Sequence, residues 1–422
     1  RSSAASDVYK RQDIDLCLRL AGHGYLTVWT PRARVMHGMP PAAFAPRDED
    51  ALSQRWLSVL ARDPAYNLNF SLGQPKGFQL AEPSLSWRPL IWRPLPVVLV
   101  HPSDRYGSGH YRAIRPMEEQ SSAGLIDGVL SMALLSPAEL ARVAPDSMVF
   151  QRHIGEESLS AMRRAQAFSR SFKVFELNDH LPSLAVGEAA QGMTPGDISY
   201  YLREAVACVD RLVVSTEALA DALHGLHPDT RVIHSRLDQQ GWGALPSSQR
   251  CAGDKPRVGW AGADWQLANL QVIGEVVKAL ATEVDWVFMG ACPEELLPYV
   301  KEVHRGVEIS LYPAALARLN LDLAVAPMQQ SLLNECKSNL RLLEYGACGY
   351  PVICSDLACF RGDLPVTRVA NHFQDWRAAI RMHLDDPQAN ARAGDALREV
   401  VRRDWMLDAS ALMAWRAAWL PD

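Results

Sequence analysis

Lys337 and Ser338 stand just ahead of a stretch with helical spacing that carries one glutamate, Glu344, among apolar residues. A Gly turn at Gly346–Gly349 and a short apolar strand at Val352–Ile353 follow. A helix start directs free backbone N–H groups and a positive dipole end at the preceding loop, so Lys337, Ser338 and Arg341 suit a phosphate or diphosphate. Glu344, further along the helix, is placed to accept hydrogen bonds from hydroxyls of a sugar attached to that phosphate. The pattern points to a group that is both anionic and hydroxylated.

The elements that must position these residues alternate between strand and helix. Val97–Val100, Ser147–Phe150, Lys173–Leu177 and Arg211–Val214 read as buried strands with polar residues at their ends. Arg257–Asp264, Trp286–Gly290 and Leu321–Pro327 begin a second alternating unit. Such alternation predicts parallel sheets, whose ligands bind beyond the carboxyl ends of the strands. The Gly-rich turn Asp104–Arg112 follows the first strand, where Gly107 and Gly109 let backbone approach a ligand closely. His110, Arg112, Arg152 and Asp179 fall on or beside strand ends facing the same crevice. Each also has a structural reading: His110 as a loop residue, Arg112 as a surface charge at a helix start, Arg152 as an ion-pair partner of Glu176 or Asp179, and Asp179 as a helix N-cap.

Composition bounds the class. The chain has 422 residues, 48% hydrophobic and 22% charged, with a net charge of −5. That is length for two or three domains, and the scattered Lys and Arg argue against a nucleic-acid binder. The eight cysteines form no CxxC pair and have no metal-ligand spacing, which predicts a reducing cytoplasm. No apolar run approaches the roughly 20 residues of a membrane helix, so any membrane association is expected to be peripheral, at the inner face. No strand is followed by GxGxxG and a suitably spaced acidic residue, which disfavours a dinucleotide oxidoreductase.

Residues 1–12 are set apart: Asp7–Gln12 looks like the translation of a sequencing-library adaptor, and the reading is that the natural protein is longer. Residues 13–40 predict a helix at Asp13–Leu20, a short strand at Leu26–Trp29 and a closing His37. Residues 41–94 are a Pro-rich connector with one helix at Asp48–Ala61, and Trp56, Trp87 and Trp92 pack it onto a neighbour or line a sugar surface.

Taken in order, "GSGHYR", "VFQRH", "FELNDHL", "VVSTEALA", "VGWAGADWQLANLQVI", "FMG", "LDLAVAPM" and the stretch Asn334–Asp356 resemble GT-B glycosyltransferases of the retaining, family-4-like kind. The resemblance spans Leu95–Asp422. It implies an α/β chain of GT-B fold, two Rossmann-like domains facing a cleft: an acceptor domain at 95–245, a nucleotide-sugar domain at 255–405 and a crossover helix at 406–422. Residues 13–40 resemble the C-terminal end of a family-2-like GT-A glycosyltransferase, with Asp13 at its catalytic-base position and His37 at its metal-ligand position. The DxD half of that domain is missing, so this GT-A fragment is expected to be non-functional and to hold no metal.

The resemblance implies a hexosyltransferase-like enzyme in bacterial surface-polysaccharide (O-antigen- or capsule-like) assembly. A sugar moves from a nucleoside-diphosphate donor to a glycan or lipid-linked acceptor with retention, without metal or other cofactor; other assembly enzymes are possible partners. Gly107, Gly109, Gly262, Lys337, Ser338, Arg341 and Glu344 are then donor-binding, and His110, Arg152 and Asp179 are catalytic or acceptor-side. The chain departs from the family pattern in places. Family-4-like enzymes pair two glutamates with seven residues between them; Glu344 matches the second, but the first position holds Cys336, beside Glu335. A basic residue expected after the first strand of this half is absent from Gly259–Gln266, and Asn178 stands where an aspartate is expected. Two alternatives follow, a catalytically weak module that binds nucleotide-sugar or glycan as a scaffold, and a GT-B-shaped sugar-nucleotide epimerase.

Overall fold

The computed structural model describes residues 12–28, 30–32, 46–72, 79–81, 85, 93–184, 192–246, 248–251, 253–263 and 266–422. The adaptor-like residues 1–11, His37, Trp87 and Trp92 lie outside them.

Two six-stranded sheets, all parallel in their pairings, organise the chain. The first contains β1 (Val97–His101), β2 (Asp127–Leu130), β3 (Ser147–Gln151), β4 (Phe172–Leu177), β5 (Arg211–Val214) and β6 (Thr230–Val232), in the order β2-β1-β3-β4-β5-β6. The second contains β7 (Arg257–Gly262), β8 (Asp285–Gly290), β9 (Glu302–His304), β10 (Leu323–Ala326), β11 (Val352–Ser355) and β12 (Thr367–Val369), in the order β12-β11-β10-β7-β8-β9. The central strands are runs of Val, Leu, Ile, Phe and Trp because a parallel sheet is covered on both faces. Both orders are doubly wound, with strand order reversing beside β1 and β3 in one sheet and beside β7 and β10 in the other. Those reversals open a crevice at the strand ends, which fixes where a site belongs.

Each sheet is covered on both sides. In the first domain Leu99, Phe150, Phe175 and Leu212 face one apolar cluster. Val98, Val100, Val149, Val174 and Val213 face another, shared with Met117 and with Leu412, Trp415 and Trp419 of the helix Ala409–Trp419. That helix therefore crosses back from the end of the second domain to complete the core of the first. In the second domain Val258, Trp260, Trp286, Phe288, Val325 and Ile353 pack with Trp376, and Ala261, Val287, Ala324 and Cys354 pack with Leu342 and Tyr345.

Two readings change. Leu237, Trp242 and Leu245 belong to the second domain's apolar cluster, so the chain joins that domain well before residue 245. The two crossings run side by side there, with the Leu237 N–H on the Trp405 carbonyl at 3.0 Å and the Leu407 N–H on the Leu237 carbonyl at 2.8 Å. Leu26–Val28 form no strand; these three residues lack a partner strand among the described residues, and apolar character alone does not make a sheet.

The helices Gln12–Gly22 and Pro46–Ala61 are stapled by Asp15, whose carboxylate accepts from Arg19 Nε at 2.9 Å, Arg55 Nη1 at 2.8 Å and Trp56 Nε1 at 2.8 Å. Trp56 thus serves the connector's packing. Arg142 of the first domain donates to the carbonyls of Ala61 and Phe70, both at 2.7 Å, and holds the pair in place. Asp13 is exposed on the first of these helices.

Candidate functional site

The Gly-rich turn after β1 leads into a helix that changes pitch. Gly107–Gly109 is α-helical, His110–Ile114 is a π-helical turn, and Arg115–Ser122 is α-helical again. A π-turn widens the helix by one residue and redirects the side chains on it. Gly107 takes φ +41°, whereas Gly109 is required by its neighbours: a Cβ there would lie 1.9 Å from the Asp104 carbonyl oxygen. Asp104 Oδ1 accepts from the Tyr106 N–H at 2.8 Å and the Gly109 N–H at 3.3 Å, so the turn is closed on itself.

At the tips of β3 and β4 the side chains of Arg152 and Asp179 come together. Arg152 Nη1 lies 3.3 Å from Ser108 Oγ and 3.4 Å from Asp179 Oδ2, and Asn178 Nδ2 donates to the same Asp179 oxygen at 2.6 Å. Arg152 holds a left-handed backbone, φ +58°, unusual for a residue with a Cβ and a mark of a position set by its surroundings. His110 is half-buried, its ring edge-on to Tyr111 at 5.1 Å, and burial together with Arg115 lowers its pKa, which favours the neutral imidazole. Deeper in the tip, His101 Nδ1 donates to the Ser131 carbonyl at 3.0 Å and His153 Nε2 to the His101 carbonyl at 3.1 Å. Burial, and for His101 the neighbouring His153, lowers their pKa values to about 3 and about 4, so both rings are neutral.

Arg112 is neither an acceptor ligand nor a surface charge. It is buried, paired with Glu176 through Nε–Oε1 at 2.6 Å and Nη2–Oε2 at 3.1 Å, and stacked 4.6 Å from the Trp415 ring. Its Nη1 also donates to the Ile233 carbonyl. A fork-shaped guanidinium satisfies all of these at once, which a lysine would not. The ion pair with Glu176 weighed for Arg152 is thus made by Arg112.

In the second domain Gly262 ends β7 where a Cβ would meet the Trp260 ring at 2.2 Å, and Gly290 (φ +95°) passes so close to the Gly262 carbonyl that a Cβ would lie 2.1 Å from it. These glycines pack the tips of β7 and β8 tightly. The helix Leu340–Ala347 begins after Asn339, with Lys337 and Ser338 in the turn before it. Lys337 is half-buried, and its ammonium makes no hydrogen bond or ion pair to the described residues. Arg341 reaches Gln266 Oε1 at 3.1 Å and the Tyr312 hydroxyl at 2.7 Å.

Glu344 is 4% exposed, and both its oxygens are occupied. Oε1 accepts from the Tyr111 hydroxyl at 2.9 Å; Oε2 accepts from the Tyr312 hydroxyl at 3.2 Å and lies 3.1 Å from Arg341. Burial pushes its carboxyl pKa up, against Arg341 and the two phenols. Tyr111 and Tyr312 were not singled out from the sequence; Tyr111 stands inside the "GSGHYR" motif, but nothing local ties it to a residue 233 positions away.

Cys336, at the position of the family's first glutamate, is fully buried in the apolar cluster of the first domain, and Thr216 Oγ1 donates to its carbonyl at 2.8 Å. Burial raises its thiol pKa to about 11. Glu335 Oε2 accepts from the Ala358 N–H at 2.5 Å and so is turned toward the second domain. A cavity of about 540 Å³ opens between Thr216, Glu217 and Arg236 on one side and Ser338, Asn339 and Arg361 on the other. Among the described residues no group of His, Cys, Asp and Glu is arranged to hold a metal ion, and no helix is long and apolar enough to cross a membrane.

No family model matches the chain. An uncharacterized protein of Sinorhizobium fredii, y4gI, is 36% identical over 81 residues, covering 17% of this chain and 9% of that protein. The chain thus spans less than a tenth of that curated relative. Among solved structures, TarM superposes with a TM-score of 0.50 at 14% identity, over 66% of this chain and 56% of TarM. HepE of Anabaena in complex with UDP-glucose superposes with a TM-score of 0.52 at 13% identity, over 76% of this chain and 98% of HepE. What the chain shares with these structures is architecture: two Rossmann-like domains with parallel sheets whose strand ends meet across a cleft, which is the GT-B fold.

Proposed function

We propose that the chain is a glycosyltransferase module that takes a sugar from a nucleoside-diphosphate donor. The observation that carries this is the grouping of Lys337, Ser338 and the start of the helix Leu340–Ala347 beside the crevice of the second sheet, with Arg341 and Glu344 on the same helix. Free N–H groups, a helix dipole and an ammonium unpaired among the described residues are what a leaving diphosphate needs, and a carboxylate about one turn into the helix suits ribose hydroxyls. HepE, of the same fold, is solved with UDP-glucose. Across the cleft, neutral His110 and the Arg152–Asp179 pair would orient the acceptor hydroxyl that attacks the anomeric carbon. In the finer reading the transfer retains configuration, uses no metal, and serves bacterial surface-polysaccharide assembly on a glycan or lipid-linked acceptor, in the cytoplasm at the inner membrane face.

One observation favours a second reading, a module that binds donor but turns it over slowly. Where a sugar-positioning glutamate would stand, Cys336 is buried in the other domain and Glu335 is engaged elsewhere. A thermal-shift panel of uridine, guanosine and adenosine diphosphates tests donor binding. Stabilisation by one of them in wild type, lost in Lys337→Ala, is expected; the loss should be about 1.5–3 kcal/mol of affinity, the scale of a charge-assisted hydrogen bond. Equal melting with and without every nucleotide overturns the proposal. Donor hydrolysis that persists in EDTA is expected of the active enzyme, and binding without hydrolysis identifies the slow module.

A further inference from the structure

The two domains plug into each other. Tyr111, carried by the π-helical turn of the first domain, is 5% exposed and sits in the apolar cluster of the second with Trp242, Leu342 and Tyr345. Cys336, carried by the second domain, sits in the cluster of the first. Tyr111 ends on the one carboxylate, Glu344, that lies on the helix behind Lys337 and Ser338. The hydroxyl of a phenol and that of a ribose are the same kind of donor, and because Glu344 is 4% exposed, Tyr111 seated on Oε1 leaves no open side from which a ribose hydroxyl could reach that oxygen.

We infer that Tyr111 is an interdomain latch: its hydroxyl occupies Glu344 in place of a nucleoside's ribose, and the donor enters only when the first domain withdraws it. This rests on the donor-site reading above. Tyr312 binds the other oxygen of Glu344 from within the second domain, so it holds the carboxylate without joining the domains. A ligand that must displace an internal partner binds more weakly by the fraction of molecules already open, and removing the partner restores that fraction.

Tyr111→Phe keeps the ring in its apolar seat and deletes the hydrogen bond; Tyr312→Phe is the matched variant confined to one domain. Hydrogen–deuterium exchange of the ligand-free proteins is read over residues 107–122 and 340–347, and uridine, guanosine and adenosine diphosphate binding by titration calorimetry. Exchange in both segments about tenfold faster in Tyr111→Phe, not reproduced in 107–122 by Tyr312→Phe, is expected, with nucleoside-diphosphate affinity raised about fivefold or more. Unchanged exchange in Tyr111→Phe overturns the latch whatever the nucleotides do. Faster exchange with unchanged or weaker affinity overturns the competition for Glu344. Faster exchange with no nucleotide bound by either protein keeps the interdomain latch and overturns the donor-site reading instead.

Discussion

Glu344 takes three protein donors, Tyr111, Tyr312 and Arg341, and these set what its replacement does. Glu344→Gln leaves Arg341 without its carboxylate, so a stability loss of about 1–3 kcal/mol is expected, read as a shift in denaturant midpoint. If ribose also uses Glu344, the variant weakens nucleoside diphosphate but not pyrophosphate, which has no ribose; equal losses for both ligands would leave Glu344 with a structural role alone. The histidines at the tip of the first sheet make a pH prediction. His101 and His153 titrate near 3 and 4 in the folded chain, below the ordinary 6.5, because burial disfavours their charge. The unfolded chain therefore binds more protons as pH falls below 6.5, and stability drops through that window until the folded pKa values are reached. His101→Gln should flatten the acid limb of a midpoint-against-pH curve between about pH 6 and 4, and an unchanged slope would show that His101 is not the group responsible. The placement of Lys337 and Ser338 ahead of a helix that carries Glu344 was legible from local helix geometry. The phenols on Glu344 were not, because their positions depend on how two domains dock.

Among the elements, the turn at Asp104–Gly109 has the least room. Because a Cβ at Gly109 meets backbone 1.9 Å away, Gly109→Ala must push Asp104 out of the turn. A loss of about 1–3 kcal/mol is expected, as for overpacking elsewhere, and Gly107→Ala should cost less because its Cβ faces open space. Chemical denaturation of the pair ranks them; equal losses would mean that φ +41° at Gly107 matters as much as the clash. Central strands were readable in the sequence because they are continuous apolar runs, from Val97–Val100 to Val352–Ile353. β2, β6, β9 and β12 were not: they are three or four residues long, and Asp127, Arg231, Glu302 and Arg368 interrupt their apolar character. Short outer strands draw their order from the neighbour they pair with, information the local sequence does not carry.

For the whole molecule, the helix Ala409–Trp419 ties the end of the chain to the first domain. Trp415 is buried against the valines of β1, β3, β4 and β5 and stacks on Arg112, which in turn neutralises Glu176. Trp415→Ala is expected to cost about 3–5 kcal/mol, the scale for an aromatic removed from a core. The loss should appear in the first domain, so hydrogen exchange in β1 and β3 is the measurement, and protection lost only within 409–419 would show that the helix docks without supporting the sheet. The resemblance implied this crossing, and Trp415 and Trp419, four apart on one face of the helix, carry it. The ion pair beneath it was not legible: of the two partners weighed for Arg152 the structure has Asp179, and Glu176 is reached by Arg112 from the π-turn.

The same crossing sets the order in which the protein is made. A ribosome emits the strands of the first domain long before it emits Trp415 and Trp419, and at about 5–20 residues per second the gap of roughly 200 residues after β5 lasts some 10–40 s. During that interval the valine face of the first sheet has only the partial cover of Ala113, Met117 and Ile126, while the second domain, whose strands and helices are nearly contiguous, can close as it emerges. The nascent chain is thus expected to complete its later domain first and to present a partly covered apolar sheet to chaperones until the helix Ala409–Trp419 arrives.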